Sequence, residues 1–208
     1  DGSIAEVTLS FLARSVPSLG YRAYRVLPAD DVPAGWTRVD GAARISNAAF
    51  TVEADPARGG ALSSVVELVT GRELVRPGGL AGELTLQAEL ADHDYWGEGP
   101  WHLLPTGPGE ASGARPANVH VETSPLGSRI VSTTELQGLR ITQLTTLWHG
   151  IERVDLLTHV DGSIGQDHLL RTRFQLDAPG LLPVAEVGFG AVGRSFGPLP
   201  AMSSPPIS

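Results

Sequence analysis

Glycine and proline punctuate this chain every few residues, 25 and 16 of them among 208, and this constrains its fold more than any other feature. Proline lacks the amide hydrogen that an interior helical turn needs, and glycine carries an entropic cost there. Helices of ordinary length would therefore be broken repeatedly, whereas short strands joined by turns would not. Segments with apolar alternation and β-branched enrichment lie between the breaks, at 4–11, 21–27, 49–53, 62–68, 118–121, 129–134 and 140–148. The clearest is 139–148, with a period of nearly two. Residues 152–160 follow after a short His149-Gly150 turn, so the pair is predicted to form a β-hairpin. Asp55-Pro56-Ala57-Arg58-Gly59-Gly60 and Val69-Thr70-Gly71-Arg72 are turn signals on either side of 62–68 and bound another strand pair. Residues 106–116, with Gly107-Pro108-Gly109-Glu110-Ala111-Ser112-Gly113, show no apolar periodicity and are predicted to be an exposed loop. The expected class is all-β, an antiparallel β-sandwich with little helix. The length suits one large domain over 1–196, with leading strands in 1–40 and the main sandwich in 41–196; the Pro/Ser-rich 197–208 is expected to be a flexible tail or linker.

Composition narrows the function classes. The chain has no cysteine, which excludes disulfides, thiolate zinc sites and cysteine nucleophiles. With no disulfide framework, a reducing cytoplasm is the favoured compartment. All fifteen basic residues are arginine, spread from Arg14 to Arg194 without clustering, and the net charge is -8. That distribution offers no phosphate-tracking stripe, so no nucleic-acid partner is expected. The longest apolar runs fall far short of the ~20 residues of a membrane helix, so no membrane partner is expected either. The N-terminus shows no basic stretch followed by an apolar segment, and hence no signal peptide.

The densest polar and aromatic stretch is Asp92-His93-Asp94-Tyr95-Trp96-Gly97-Glu98-Gly99-Pro100-Trp101-His102. Sugar rings present apolar faces to aromatic planes and hydroxyls to carboxylates. Asp94, Trp96 and Trp101 are therefore the candidate substrate-binding residues, set against a reading in which the two tryptophans merely anchor a surface loop. Asp92, His93 and Asp94 do not make a metal site, because adjacent residues on an extended strand point to opposite faces and no spaced second histidine accompanies them. Asp92, Asp94 and Glu98 are weak candidates for a paired-carboxylate glycosidase centre. His120, His149, His159 and His168 are scattered on or beside strand candidates and read as solvated or satisfied side chains. Gly188-Phe189-Gly190-Ala191-Val192-Gly193 superficially matches a dinucleotide fingerprint, but it lacks the strand-turn-helix setting and the following acid, and reads as a glycine-bearing strand end.

Four stretches, in order, resemble the C-terminal region of α-mannosidases of glycoside hydrolase family thirty-eight. The first is Val16-Pro17-Ser18-Leu19-Gly20-Tyr21-Arg22-Ala23-Tyr24-Arg25, similar to a "VPxLGYxxYR" stretch. The second runs from Ile45-Ser46-Asn47 and Phe50 through Gly59-Gly60 to Thr70-Gly71-Arg72-Glu73-Leu74, similar to "I-x-N-x-F/Y", a glycine turn and "TGREL". The third is Ser124-Pro125-Leu126-Gly127-Ser128-Arg129-Ile130; the fourth leads from His168-Leu169-Leu170-Arg171 to Glu186-Val187-Gly188-Phe189-Gly190. Two departures stand out. Val160-Asp161-Gly162-Ser163-Ile164 replaces a "VDWxE" stretch and lacks its tryptophan, and 92–98 matches a "D-A-W-D" turn only loosely.

The resemblance implies a galactose-mutarotase-like supersandwich and an accessory role in a retaining, zinc-dependent hydrolase of α-mannosidic bonds. It implies Zn2+ in the full-length enzyme, with the zinc ligands, nucleophile and acid/base outside this chain, so no catalytic residue and no metal ligand is assigned here. The implied partners are mannosides or mannose-containing glycans and an N-terminal catalytic domain, and a homo-oligomer is compatible. Two other readings stay open: a stand-alone mutarotase-like aldose epimerase, and a non-catalytic carbohydrate-binding module.

Overall fold

A computed structural model describes residues 9–27, 35–90, 104–178 and 184–193. The chain divides into two units, Asp1–Leu176 and Asp177–Ser208. The described strands of the first are β1 (Thr37–Val39), β2 (Arg44–Ser46), β3 (Phe50–Ala54), β4 (Leu62–Glu67), β5 (Arg72–Glu73), β6 (Ala81–Glu89), β7 (Pro105–Ala111), β8 (Asn118–Ser124), β9 (Gly127–Leu136), β10 (Leu139–Trp148), β11 (Val154–Asp161) and β12 (His168–Phe174). The second carries the hairpin β13 (Val184–Val187) and β14 (Gly190–Gly193), joined by a turn at Gly188-Phe189 in the segment read as a glycine-bearing strand end. The only helical turn among the described residues is a 3-10 turn at Ser112–Ala114. None of their helices is long and apolar enough to cross a membrane.

The first unit is an antiparallel β-sandwich, the expected class. One sheet has the order β1-β8-β9-β10-β11; the other runs β12-β6-β4-β3-β2, with β5 added to β4 and β7 to β6. Alternation on the strands decides which residues meet between the sheets. One cluster joins Ile45, Val52, Leu62 and Val65 of the larger sheet to Val121, Ile130 and Leu147 of the smaller. A second joins Leu84 and Leu86 to Leu136, Leu139 and Ile141. Polar residues on the inner faces find partners across the gap: Ser132 Oγ donates to the Gly60 carbonyl at 3.0 Å and Gln143 Nε2 to the Gly82 carbonyl at 2.7 Å. An unpaired buried polar group costs about 1–3 kcal/mol, so these bonds hold the sheets in one alignment.

The predicted hairpin forms, with Leu144 opposite Leu157 and Leu147 opposite Val154. The segments at 49–53, 62–68, 118–121 and 129–134 correspond to β3, β4, β8 and β9. Two expectations need correction. Residues 21–27 are not a strand: they are irregular and exposed, and among the described residues their side chains pair within their own excursion. There Phe11 and Tyr24 rings lie 4.9 Å apart, and Arg22 Nη1 donates to the Arg14 carbonyl at 3.0 Å. Tyr24 and Val26, two apart, thus lack among the described residues the neighbouring strand that a period of two presupposes. Of 4–11, only residues 9–11 are described, and they are not strand.

Residues 106–116 are not a plain loop either. β7 pairs with β6 across a register shift, and the 3-10 turn follows it. Side chains of β7 are almost all exposed, so backbone hydrogen bonding rather than apolar burial makes it a strand, and no periodicity signals it. Gly107 and Gly109, at φ +75 and +70, supply the irregularity opposite Gln87.

Candidate functional site

Asp94, Trp96 and Trp101 lie outside the described residues, as do all of 91–103. The other two tryptophans, 112 positions apart in sequence, come together on the outer face of the five-stranded sheet, with Trp36 and Trp148 ring centroids 5.8 Å apart. Sandwich alternation builds the rest of this face. Val119 and Val121 point into the core from β8, which turns His120 and Glu122 outward. Ile130 and Leu147 do the same for Arg129 on β9 and Trp148 on β10.

The side chains form a continuous chain of contacts. Arg129 Nε and Nη2 lie 2.6 and 2.5 Å from Glu122 Oε2, a forked charge-assisted pair. The Arg129 guanidinium carbon sits 4.3 Å from the centroid of a Trp36 ring, in cation–π geometry. His120 Nε2 is 3.3 Å from Glu122 Oε1. At the far end Trp148 Nε1 donates to Asp155 Oδ2 at 2.7 Å, and Arg153 pairs with the same carboxylate. Burial pushes Glu122 up, but hydrogen bonds and charge from Arg129 and His120 outweigh it and hold the carboxyl below its ordinary value. Asp155 is lowered chiefly by its Arg153 hydrogen bond, against the opposing effect of burial and with help from Trp148.

Both carboxylates are thus held ionised and already engaged. A glycosidase acid needs the reverse, a carboxyl kept protonated near neutral pH. The face has the composition for stacking and hydrogen bonding to a hydroxyl-rich ligand, and neither Glu122 nor Asp155 is poised as a general acid. Beside it, a groove of about 330 Å³ is walled by Phe11 and Leu12 on one side and Leu126, Trp148 and Ile151 on the other. A second hollow of about 410 Å³ continues past Arg14 towards His149. Both fall in the size range of small-ligand sites.

Of the four scattered histidines, only His120 joins this cluster. His149 sits exposed in the β10–β11 turn, His159 pairs with Asp161 at 3.0 Å on β11, and His168 Nδ1 lies 2.6 Å from the Gln166 carbonyl. Among the described residues there is no group of three His, Cys, Asp or Glu that could hold a metal ion. On the other sheet, Glu83, Thr85 and Gln87 form a buried row on the outer face of β6. Arg173 Nη2 meets Glu83 at 2.5 Å and Arg171 meets Gln87, whereas Thr85 Oγ1 is buried without a hydrogen-bond partner among the described residues.

The stretches that carry the family resemblance do structural work. Asn47 Oδ1 accepts from the amides of Ala49 and Phe50 at 2.9 and 2.8 Å, while its Nδ2 donates to the carbonyls of Trp148 and Ile151 at 3.0 and 3.1 Å, tying the sheets together. Glu73 accepts from Ser64 Oγ at 2.5 Å and from the amides of Val65 and Val75, both at 2.8 Å. Gly60, at φ +67, passes so close to β9 that a Cβ would sit 2.5 Å from the Ser132 Cβ. The tryptophan-centred face was not foreseen. The i, i+2 pairs His120/Glu122 and Arg153/Asp155 were its one local signal, since such residues share a strand face. No protein-family model matches the chain, and no curated protein matches it.

Proposed function

We propose that this chain is the C-terminal accessory part of a retaining, zinc-dependent α-mannosidase, and that it bears on mannosides as a support and contact surface rather than as a catalyst. One observation carries the reading: four stretches in order, spread over residues 16–190, resemble that region of family thirty-eight enzymes. The antiparallel sandwich suits the galactose-mutarotase-like architecture of that region. The structural roles of Asn47, Gly60 and Glu73 supply a physical reason for those residue types to recur at those places. The ionised state of Glu122 and Asp155 favours contact over proton transfer on the tryptophan-centred face. In this reading the catalytic zinc, held elsewhere in the enzyme, supplies its Lewis acidity there; this chain's residues shape and brace the sandwich.

The competing epimerase reading requires proton exchange at the anomeric carbon of a free aldose, catalysed by a His and a carboxylate. The test is exchange spectroscopy on mannose and galactose with the 208-residue chain, beside a search of the coding sequence upstream of Asp1 for a His-x-Asp zinc pair. The accessory reading expects no exchange above the uncatalysed rate and a zinc pair upstream. Exchange abolished by His120→Ala would overturn it in favour of an epimerase.

A further inference from the structure

Among the described strands the smaller sheet ends on β11, and this end differs from the other three ends of the two strand orders. β1 and β2 are three residues long, too short to template a further strand. β12 is interrupted by a register shift at Arg173/Phe174. β11 runs eight residues, Val154–Asp161, without proline, glycine or bulge, and pairs among the described strands only with β10. Long regular edges recruit another strand unless they are blunted. The middle of β11 is exposed on both faces, with Leu156 44% and Leu157 62% accessible. Leu156 lies on the same face as Val154 and Val160, which pack against the core clusters, so its exposure marks an open seam at the side of the sandwich.

We propose that β11 of a second copy of this chain covers this edge, paired antiparallel about a twofold axis through Leu157. The strand is self-complementary about that residue. Reversal places Arg153 opposite Asp161, Asp155 opposite His159 and Leu157 opposite its own copy on the outer face. On the inner face Val154 meets Val160 and Leu156 meets Thr158. Each pair occurs twice by symmetry, and directly opposed side chains are the unit of sheet stabilisation. Within one copy Arg153 already pairs with Asp155, and His159 lies 3.0 Å from Asp161. The dimer therefore sets an Arg–Asp couple against an Asp–His couple, each basic side chain facing a carboxylate. The register is selective: an axis through Thr158 would put Asp155 against Asp161, and an axis through Leu156 would put Arg153 against His159. The result is a ten-stranded sheet continuous across the two sandwiches.

Sedimentation velocity of the 208-residue chain tests this, over concentrations from about 1 to about 100 µM because association is concentration-dependent. The expected species at the upper end has twice the 21.8 kDa chain mass. Leu157→Lys, which sets two ammonium groups face to face, is expected to leave only the monomer. Asp161→Arg alone opposes two arginines and is expected to raise the dimer Kd about tenfold or more, equivalent to ~1.4 kcal/mol. Arg153→Asp combined with Asp161→Arg restores the crossed charges and is expected to bring Kd back towards that of the unaltered chain. All these positions are solvent-exposed or half-exposed, and an unchanged far-ultraviolet β spectrum verifies folding of each variant. A chain that stays monomeric throughout, or a dimer indifferent to Leu157→Lys and Asp161→Arg, overturns the proposal. Failure of the double swap to restore what the single change weakened overturns the register and the proposal with it.

Discussion

Glu73 shows how a residue in a sequence motif can matter without touching a substrate. Its carboxylate serves the hydroxyl of Ser64 and the amides of Val65 and Val75, beside the buried Val75. Glu73→Ala leaves those donors without their acceptor, and the expected loss in urea denaturation is about 1–3 kcal/mol at unchanged m-value. A midpoint equal to that of the parent would contradict the role. Burial pushes Glu73 up, but these hydrogen bonds more than offset it, so its folded pKa lies below the ordinary 4.5, as does that of Glu122. Asp155, lowered first by Arg153, lies below the ordinary 3.8. A lowered folded pKa adds stability that is fully present above the ordinary value and lost as pH falls through the folded one. Denaturation midpoints are therefore expected to stay level from neutrality to about pH 5 and to decline below it, with a shallower decline in Glu122→Gln. A midpoint that rises on acidification would contradict this. Neither role was legible beforehand, because the donors reach each carboxylate only once the β4–β5 and β8–β9 strand pairs have closed.

At the scale of elements, hairpins with apolar alternation were readable and backbone-driven strands were not. β10 and β11 were foreseen because Leu139, Ile141 and Leu147 recur on one face beside a glycine-bearing turn. The sequence does not reveal β6 although Leu84 and Leu86 alternate, since Glu83 and Gln87 look like solvent-facing residues; the arginines of β12, with the Gly107 carbonyl for Gln87, make their burial tolerable. β7 was read as a loop because its side chains carry no pattern. Its glycines give a graded test. Gly109→Ala places a Cβ against the Leu86 carbonyl at positive φ, whereas Gly107→Ala meets nothing within 4 Å. The first is expected to cost about 2–3 kcal/mol and speed amide exchange in β6 and β7, the second only the ~1 kcal/mol of left-handed strain. Equal effects would show that β7 does not pack on β6 as described.

At the scale of the molecule, the class followed from punctuation, and the antiparallel sandwich has it. The assembly of two sheets from strands far apart in sequence did not follow, since β1 lies beside β8 and β12 beside β6. The candidate contact residues Asp94, Trp96 and Trp101 fall outside the described residues, so their test is functional. On the proposed accessory role, Trp96→Ala in the full-length protein is expected to weaken mannoside turnover while leaving the melting temperature of the 208-residue chain nearly unchanged. A loss of the ~3–5 kcal/mol typical of core aromatics in that chain would instead make Trp96 part of the sandwich core. Hydrolysis of an aryl α-mannoside tests the proposal that this chain is an accessory part of a mannosidase with no catalytic centre of its own. The full-length protein and the 208-residue chain are compared, each with zinc and with a chelator. Zinc-dependent turnover is expected from the full-length protein and none from the chain alone; turnover by the isolated chain, or a full-length protein inactive with zinc, would overturn the accessory role.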